Sequence, residues 1–137
     1  MGDVPLHSHG IFTNGIVYVD FAFDLHELTE EEEAYVPLLA QALTETGLPG
    51  MGYDRLLHEI NMHTGGIGAS VAASSTAHDP NRVRMMLNVR VKMLESRLEE
   101  GLALFERVLL EPDFEDHRRL SDLIAETRND LVSSVVP

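Results

Sequence analysis

The chain has 137 residues, and its 10 Lys and Arg against 23 Asp and Glu give a formal net charge of −13, the profile of one acidic domain of ordinary size. A surface this negative repels polyanions at long range, which excludes nucleic acid as a partner. Cysteine is absent, so a disulfide framework, Cys-ligated zinc and a thiol nucleophile are excluded too, while 44% hydrophobic residues supply one core.

The start, Met1-Gly2-Asp3-Val4-Pro5, has neither a basic n-region nor an apolar stretch, and no apolar run approaches the roughly 20 residues of a membrane helix. No membrane partner is expected. Residues 1–13 read as a lead-in and 14–137 as a single α+β domain, with both ends reading as cut from a longer multidomain chain. From Asn14 the odd positions Val17, Val19, Phe21, Phe23 and Leu25 are apolar, a period of two that predicts a strand with one face on a core. Thr29 and Glu32 offer a capping box and start a helix whose stripe is Tyr35, Leu38, Leu39, Ala42 and Leu43; Pro37 inside it predicts a kink or a late start. Gly47, Pro49, Gly50 and Gly52 then break the chain.

Tyr53, Leu56, Leu57 and Ile60 predict a second amphipathic helix, ended by Gly65-Gly66, with His63 in its last turn. Ile67, Ala69, Val71 and Ala73 alternate with small residues, the turn His78-Asp79-Pro80-Asn81 follows, and a second strand completes a hairpin. In that strand Val83, Met85, Leu87, Val89, Val91 and Met93 share one face, and Arg82, Arg84, Met86, Asn88, Arg90 and Lys92 the other. Ser96 and Glu99 form a second capping box for a helix with the stripe Leu98, Leu102, Phe105, Val108 and Leu109, stopped by Pro112. Asp113 is expected to cap the last helix, which carries Leu120, Leu123, Ile124, Thr127, Leu131 and Val135 on one face. The order is β-α-α-β-β-α-α, an antiparallel-rich sheet with helices packed on one face.

The candidates for chemistry are few. His58 and His63 frame His58-Glu59-Ile60-Asn61-Met62-His63, but their five-residue spacing is about 500° around a helix and leaves the rings about 140° apart, unlike the stacked pair of a zinc helix. They read as helix-surface and last-turn residues. His7-Ser8-His9 offers two imidazoles without a fixed third ligand. Ser74-Ser75-Thr76 lacks a nucleophile elbow, Gly65-Gly66 follows a helix instead of opening one, and Glu30 to Glu33 suit a helix start because its dipole favours acids. The stripe Arg82, Arg84, Arg90 and Lys92 stands apart, since a basic strand face in so acidic a chain needs acidic neighbours or an acidic ligand. Asp20 and Asp24 are the neighbours if the first strand lies beside it; a substrate-facing surface is the second reading, and the two are compatible.

Longer strings add a resemblance. Phe12-Thr13-Asn14-Gly15-Ile16-Val17-Tyr18, Tyr35-Val36-Pro37-Leu38, His63-Thr64-Gly65-Gly66-Ile67, Leu109-Leu110-Glu111-Pro112-Asp113-Phe114 and Ser133-Ser134-Val135-Val136-Pro137 resemble, in that order, the presequence-protease-like branch of the insulinase (pitrilysin) family of zinc metallopeptidases. The resemblance implies a LuxS/MPP-like metallohydrolase domain, one of four α+β domains in two halves that close around a chamber, and specifically the non-catalytic first domain of the second half. It implies zinc in the parent enzyme and none in this segment, because the inverted His-x-x-Glu-His motif belongs to another domain and does not occur here. The Arg and Tyr that the second half lends to the substrate carbonyl belong to its last domain, so no catalytic residue carries over. Expected partners are peptide substrates and the other domains of the same chain. A bacterial cytoplasm fits, as does the matrix of mitochondria or plastids. A free-standing binding or assembly module with the same fold is the alternative, separated from the first reading by an upstream zinc motif in the open reading frame.

Overall fold

The computed structural model describes residues 4–76 and 79–135, leaving aside the side chains of 76, 79–82, 131, 134 and 135. The elements are β1 (Ile16–Asp24), α1 (Glu30–Glu33), α2 (Val36–Glu45), α3 (Tyr53–His63), β2 (Ile67–Thr76), β3 (Asp79–Leu94), a 3-10 turn (Glu95–Arg97), α4 (Leu98–Leu110) and α5 (His117–Val135). The strands form one antiparallel sheet in the order β1-β3-β2, so the α+β class and the helix-backed sheet stand as expected. β1 is set up by Asn14 and Gly15, both at positive φ (54° and 76°). Such turns favour Asn-Gly, because neither residue resists the left-handed region as a branched one would.

The core lies between the sheet and α2 and α4. Leu87, Val89, Val91 and Met93 of β3 meet Val36, Ala40 and Leu43 of α2 and Phe105 of α4, all nearly inaccessible to water. A second cluster joins Leu56 and Ile60 of α3 to Leu104 and Val108 of α4 and to Leu48. Gly101 lets α4 come this close, since a Cβ there would lie 2.6 Å from the Met93 sulfur. At about 25 cal/mol per Å² of apolar surface removed from water, these contacts are the main favourable term in folding.

Several local expectations are corrected. The first helix is two: α1 carries the Thr29–Glu32 capping box, with both reciprocal bonds formed, and α2 restarts with Pro37 in its first turn, where the missing donor costs nothing. Within α2, Ala42 and Leu43 of the expected stripe are buried, but Val36 and Ala40 are buried in place of Tyr35 and Leu39, which are exposed. The Ser96–Glu99 box does not form, because the chain leaves β3 through the 3-10 turn, which has no side-chain cap. Asp113 accepts from the Glu115 N–H in the loop, and Asp116 instead caps α5 by accepting from the Arg119 N–H at 3.0 Å. In α3 and α5, Leu56, Ile60 and Leu123 are buried but Leu57 and Ile124 are exposed. β3 begins at Asp79, so most of the expected hairpin turn belongs to the strand; His78 and the side chains of Leu131 and Val135 lie outside the described residues.

Candidate functional site: the open face of the sheet

Alternation along three paired strands sorts their side chains onto two faces. The helices take the odd positions of β3. Its even positions Arg84, Met86, Asn88, Arg90 and Lys92 point away from the helices, alongside Tyr18, Asp20 and Asp24 of β1 and the small residues Gly68, Ser70 and Ala72 of β2. The register sets Asp20 opposite Arg90, Tyr18 opposite Lys92, and Gly68 and Ser70 opposite Arg90 and Asn88. Long side chains on β1 and β3 beside near-bare β2 leave a shallow open trough, lined by Tyr18, Asp20, Gly66, Gly68, Ser70, Asn88, Arg90 and Lys92.

The arginines of this face are paired. Arg90 holds Asp20 with two bonds, Nε to Oδ1 and Nη2 to Oδ2 (3.2 Å), and the bond to Asp20 raises the guanidinium's proton affinity still further. Arg84 Nε lies 3.3 Å from Asp24 Oδ2, a diagonal cross-strand contact. Partial desolvation pushes the Asp24 carboxyl up, but the His26 N–H, the Arg84 charge and the His26 side chain together outweigh it and hold the group below the usual carboxylate value. Lys92 makes no ion pair among the described residues, and its methylenes lie along Gly65, where a Cβ would come within 3.0 Å of them. Three cations against two carboxylates leave this face about one net positive charge among the described residues. The strand is basic in sequence and nearly neutral as a surface.

Of the sequence-selected residues, Arg84, Arg90 and Lys92 thus share one exposed face with both expected acidic neighbours, and the Arg82 side chain lies outside the described residues. Tyr18 and Asn88 fall outside that selection, although their even positions on alternating strands place them on the same face. The metal candidates do not assemble: among the described residues no three His, Asp or Glu side chains cluster as a metal requires. His58 and the His7-Ser8-His9 segment are exposed, and His63 places Nε2 3.3 Å from Glu59 with its Nδ1 buried and unpartnered. Among the described residues a zinc ion finds no ligand set. Arg119, which no periodicity marks, ties three helices together: it donates to the Glu45 carbonyl at 2.8 Å, meets Glu45 and Glu126 carboxylates at 3.3 and 3.4 Å, and stacks 4.5 Å over Tyr53. Its role is structural, satisfying the C-terminal end of α2.

A helix-backed antiparallel sheet whose other face is polar and shallow, with no metal-holding cluster among the described residues, is a surface-presenting α+β module. The chain belongs to the peptidase-associated family of the M16 peptidases, subfamily C, whose pattern it matches over residues 1–137. It is similar to Protein HypA of Clostridium perfringens (30% identity over 134 residues, 98% of this chain and 14% of that protein). It is similar also to Presequence protease 1, chloroplastic/mitochondrial, of Arabidopsis thaliana (30% over 125 residues, 91% and 12%) and to the mitochondrial presequence protease of Danio rerio (25% over 134 residues, 98% and 13%). It is thus a presequence-protease-like peptidase-associated domain, and it spans 12% to 14% of the length of these relatives. Among the described residues no helix is long and apolar enough to cross a membrane.

Proposed function

We propose that this domain is a non-catalytic wall of the peptide-enclosing chamber of a presequence-protease-like zinc metalloendopeptidase, with the open sheet face turned toward captured peptide. Residues 14–137 act as one domain of a parent chain that supplies the zinc site and hydrolyses peptides elsewhere; residues 1–13 are its lead-in. The parent works in a bacterial cytoplasm or an organelle matrix, the latter supported by the mitochondrial and chloroplastic names of the relatives. The observation that carries the reading is the division of the sheet: one face packs against the helices over β3, and the other stays open, polar and nearly neutral. Because Asp20 and Asp24 cancel the arginines, the face attracts neither acidic nor basic peptides strongly, as a wall for varied sequences requires.

The test is kinetic and uses the intact parent. Arg84→Glu with Arg90→Glu sets carboxylate against carboxylate and makes the face strongly negative. An exposed charge pair a few ångströms apart is worth about 1 kcal/mol, so KM is expected to fall about fivefold for basic peptides and rise comparably for acidic ones, with kcat little changed. Identical kinetics for both peptide classes would reject the reading.

A further inference from the structure

One cation on the open face differs from the others. Arg84 meets Asp24 and Arg90 meets Asp20, so both carboxylates of the face are used, while Lys92 makes no ion pair among the described residues. The surplus charge of the described face is therefore not spread along β3 but sits on one ammonium. Strand order accounts for the difference: Asp20 is on β1, and the Lys92 stem leans the other way, lying along Gly65 at the entry to β2.

Gly65 and Gly66 both precede β2, but only Gly66 is glycine for the sake of its backbone, at φ 123°. Gly65 has no positive φ, and what its missing side chain provides is room: a Cβ there would lie 3.0, 3.1 and 3.4 Å from Cγ, Cε and Cδ of Lys92. The two backbones are tied at the same point, the Gly65 N–H donating to the Lys92 carbonyl at 2.7 Å and the Lys92 N–H to the Gly66 carbonyl at 3.3 Å. A lysine stem already packed in this way gives up less rotamer freedom when a ligand pairs with its ammonium.

The floor of the trough over β2 is nearly bare. Gly68 and Ser70 follow Gly66 along it, and a Cβ at Gly66 or Gly68 would meet nothing within 4 Å. From Lys92 to Asn88 the trough follows β3 for about 13 Å, four residues of extended chain. Asn88 at the far end carries an amide donor and acceptor, and Arg90 between them is neutralised by Asp20. Such a trough accepts an extended chain that ends in a negative charge.

We infer that Lys92 is a subsite for the C-terminal carboxylate of a captured peptide, whose last residues lie extended over Gly66, Gly68 and Ser70. The inference rests on the reading of this face as the one turned toward peptide. Acidic side chains carry the same chemical group, but they occur in some peptides and not in others. The terminal carboxylate is the negative charge that every unmodified peptide has. One cation unpaired among the described residues, on a face otherwise nearly neutral, matches one charge at a fixed place in the ligand.

The test uses the intact parent with a peptide free of Asp and Glu, its C-terminal amide, and an amide of the same length with one internal Glu. An exposed charge pair changes affinity about fivefold, so KM is expected to be lower by that factor for the acid than for its amide, with kcat little changed. Lys92→Met is expected to bring the two KM values together, and Lys92→Arg, which keeps the charge, to preserve their difference. Equal KM values in the unaltered parent, or a difference that survives Lys92→Met, would overturn the inference. A Lys92-dependent advantage confined to the Glu-containing amide would also overturn it, assigning the ammonium to acidic side chains. Zero-length carbodiimide coupling of the acid peptide needs no turnover: the cross-link is expected between its terminal carboxyl and Lys92 Nζ, and its absence there would again overturn the inference. Hydrolysis itself reports on the chamber reading. A parent that cross-links at Lys92 but hydrolyses no peptide loses only that reading, and one that hydrolyses acid and amide with equal KM loses only this inference.

Discussion

The two faces of β3 differ by a single residue in register and by everything in environment. Val89 and Val91 are both 0% exposed and make the core, whereas Arg90 between them keeps 68% of its side chain in water and, among the described residues, is tied to Asp20 alone. The helix-covered face is held by packing that tolerates little change. The open face is held by exposed ion pairs, each worth only about 0.2–1 kcal/mol, so it can vary for function at small cost in stability.

The comparison breaks most visibly at the buried face. Phe105→Ala removes the aromatic that joins α4, β3 and Phe21, and urea unfolding is expected to show a loss of about 3–5 kcal/mol. Gly47→Ala is next: its Cβ would collide with the Met51 carbonyl and with Gly52 backbone, none of which can swing aside, and an overpacking loss of about 1–3 kcal/mol is expected in the same measurement. At the boundary, Thr29→Ala removes the capping box of α1 and should cost about 1 kcal/mol.

Smaller still is the effect expected at the open face, where Arg90→Ala should change stability by less than about 1 kcal/mol. The pH dependence of the exposed carboxylates has a definite sign. The bonds from Thr29 hold the Glu32 carboxyl below its usual 4.5, and Asp24 lies below its usual 3.8. Both groups therefore contribute stability that is fully present above those values and lost as pH falls through the depressed folded-state values. Thr29→Ala and Arg84→Ala should each flatten the acid limb of a stability-against-pH curve, and an unaltered limb would show that these contacts do not persist in solution.

Much of this is legible in the residues. Val83 to Met93 alternate with one exception, the apolar Met86 on the polar face, so the identity and facing of β3 follow from its period of two. Asp20 and Asp24 are recognisable as partners for Arg84 and Arg90, because cross-strand neighbours of opposite charge are a local rule once two strands are adjacent. Helix stripes are less secure. In α2 the expected Ala42 and Leu43 are buried but Val36 and Ala40 take the places expected of Tyr35 and Leu39, and in α4 the expected Phe105 and Val108 are buried with Gly101 and Leu104, while Leu98, Leu102 and Leu109 form the flank. A glycine carries no hydrophobic signal, yet Gly101 marks a close approach of helix to sheet.

By itself the sequence determined the class of the fold, the hairpin and the two faces of its long strand, because period, turn chemistry and capping act over a few residues. Only the tertiary structure decided that β3 lies in the middle of the sheet, that Arg90 and Arg84 are neutralised by residues some 60 to 70 positions away, and that Phe21 and Phe23 of β1 stay partly exposed. Those outcomes depend on which distant segments meet. The chain's net charge of −13 describes none of them, since an ion pair across two strands is set by register and not by composition.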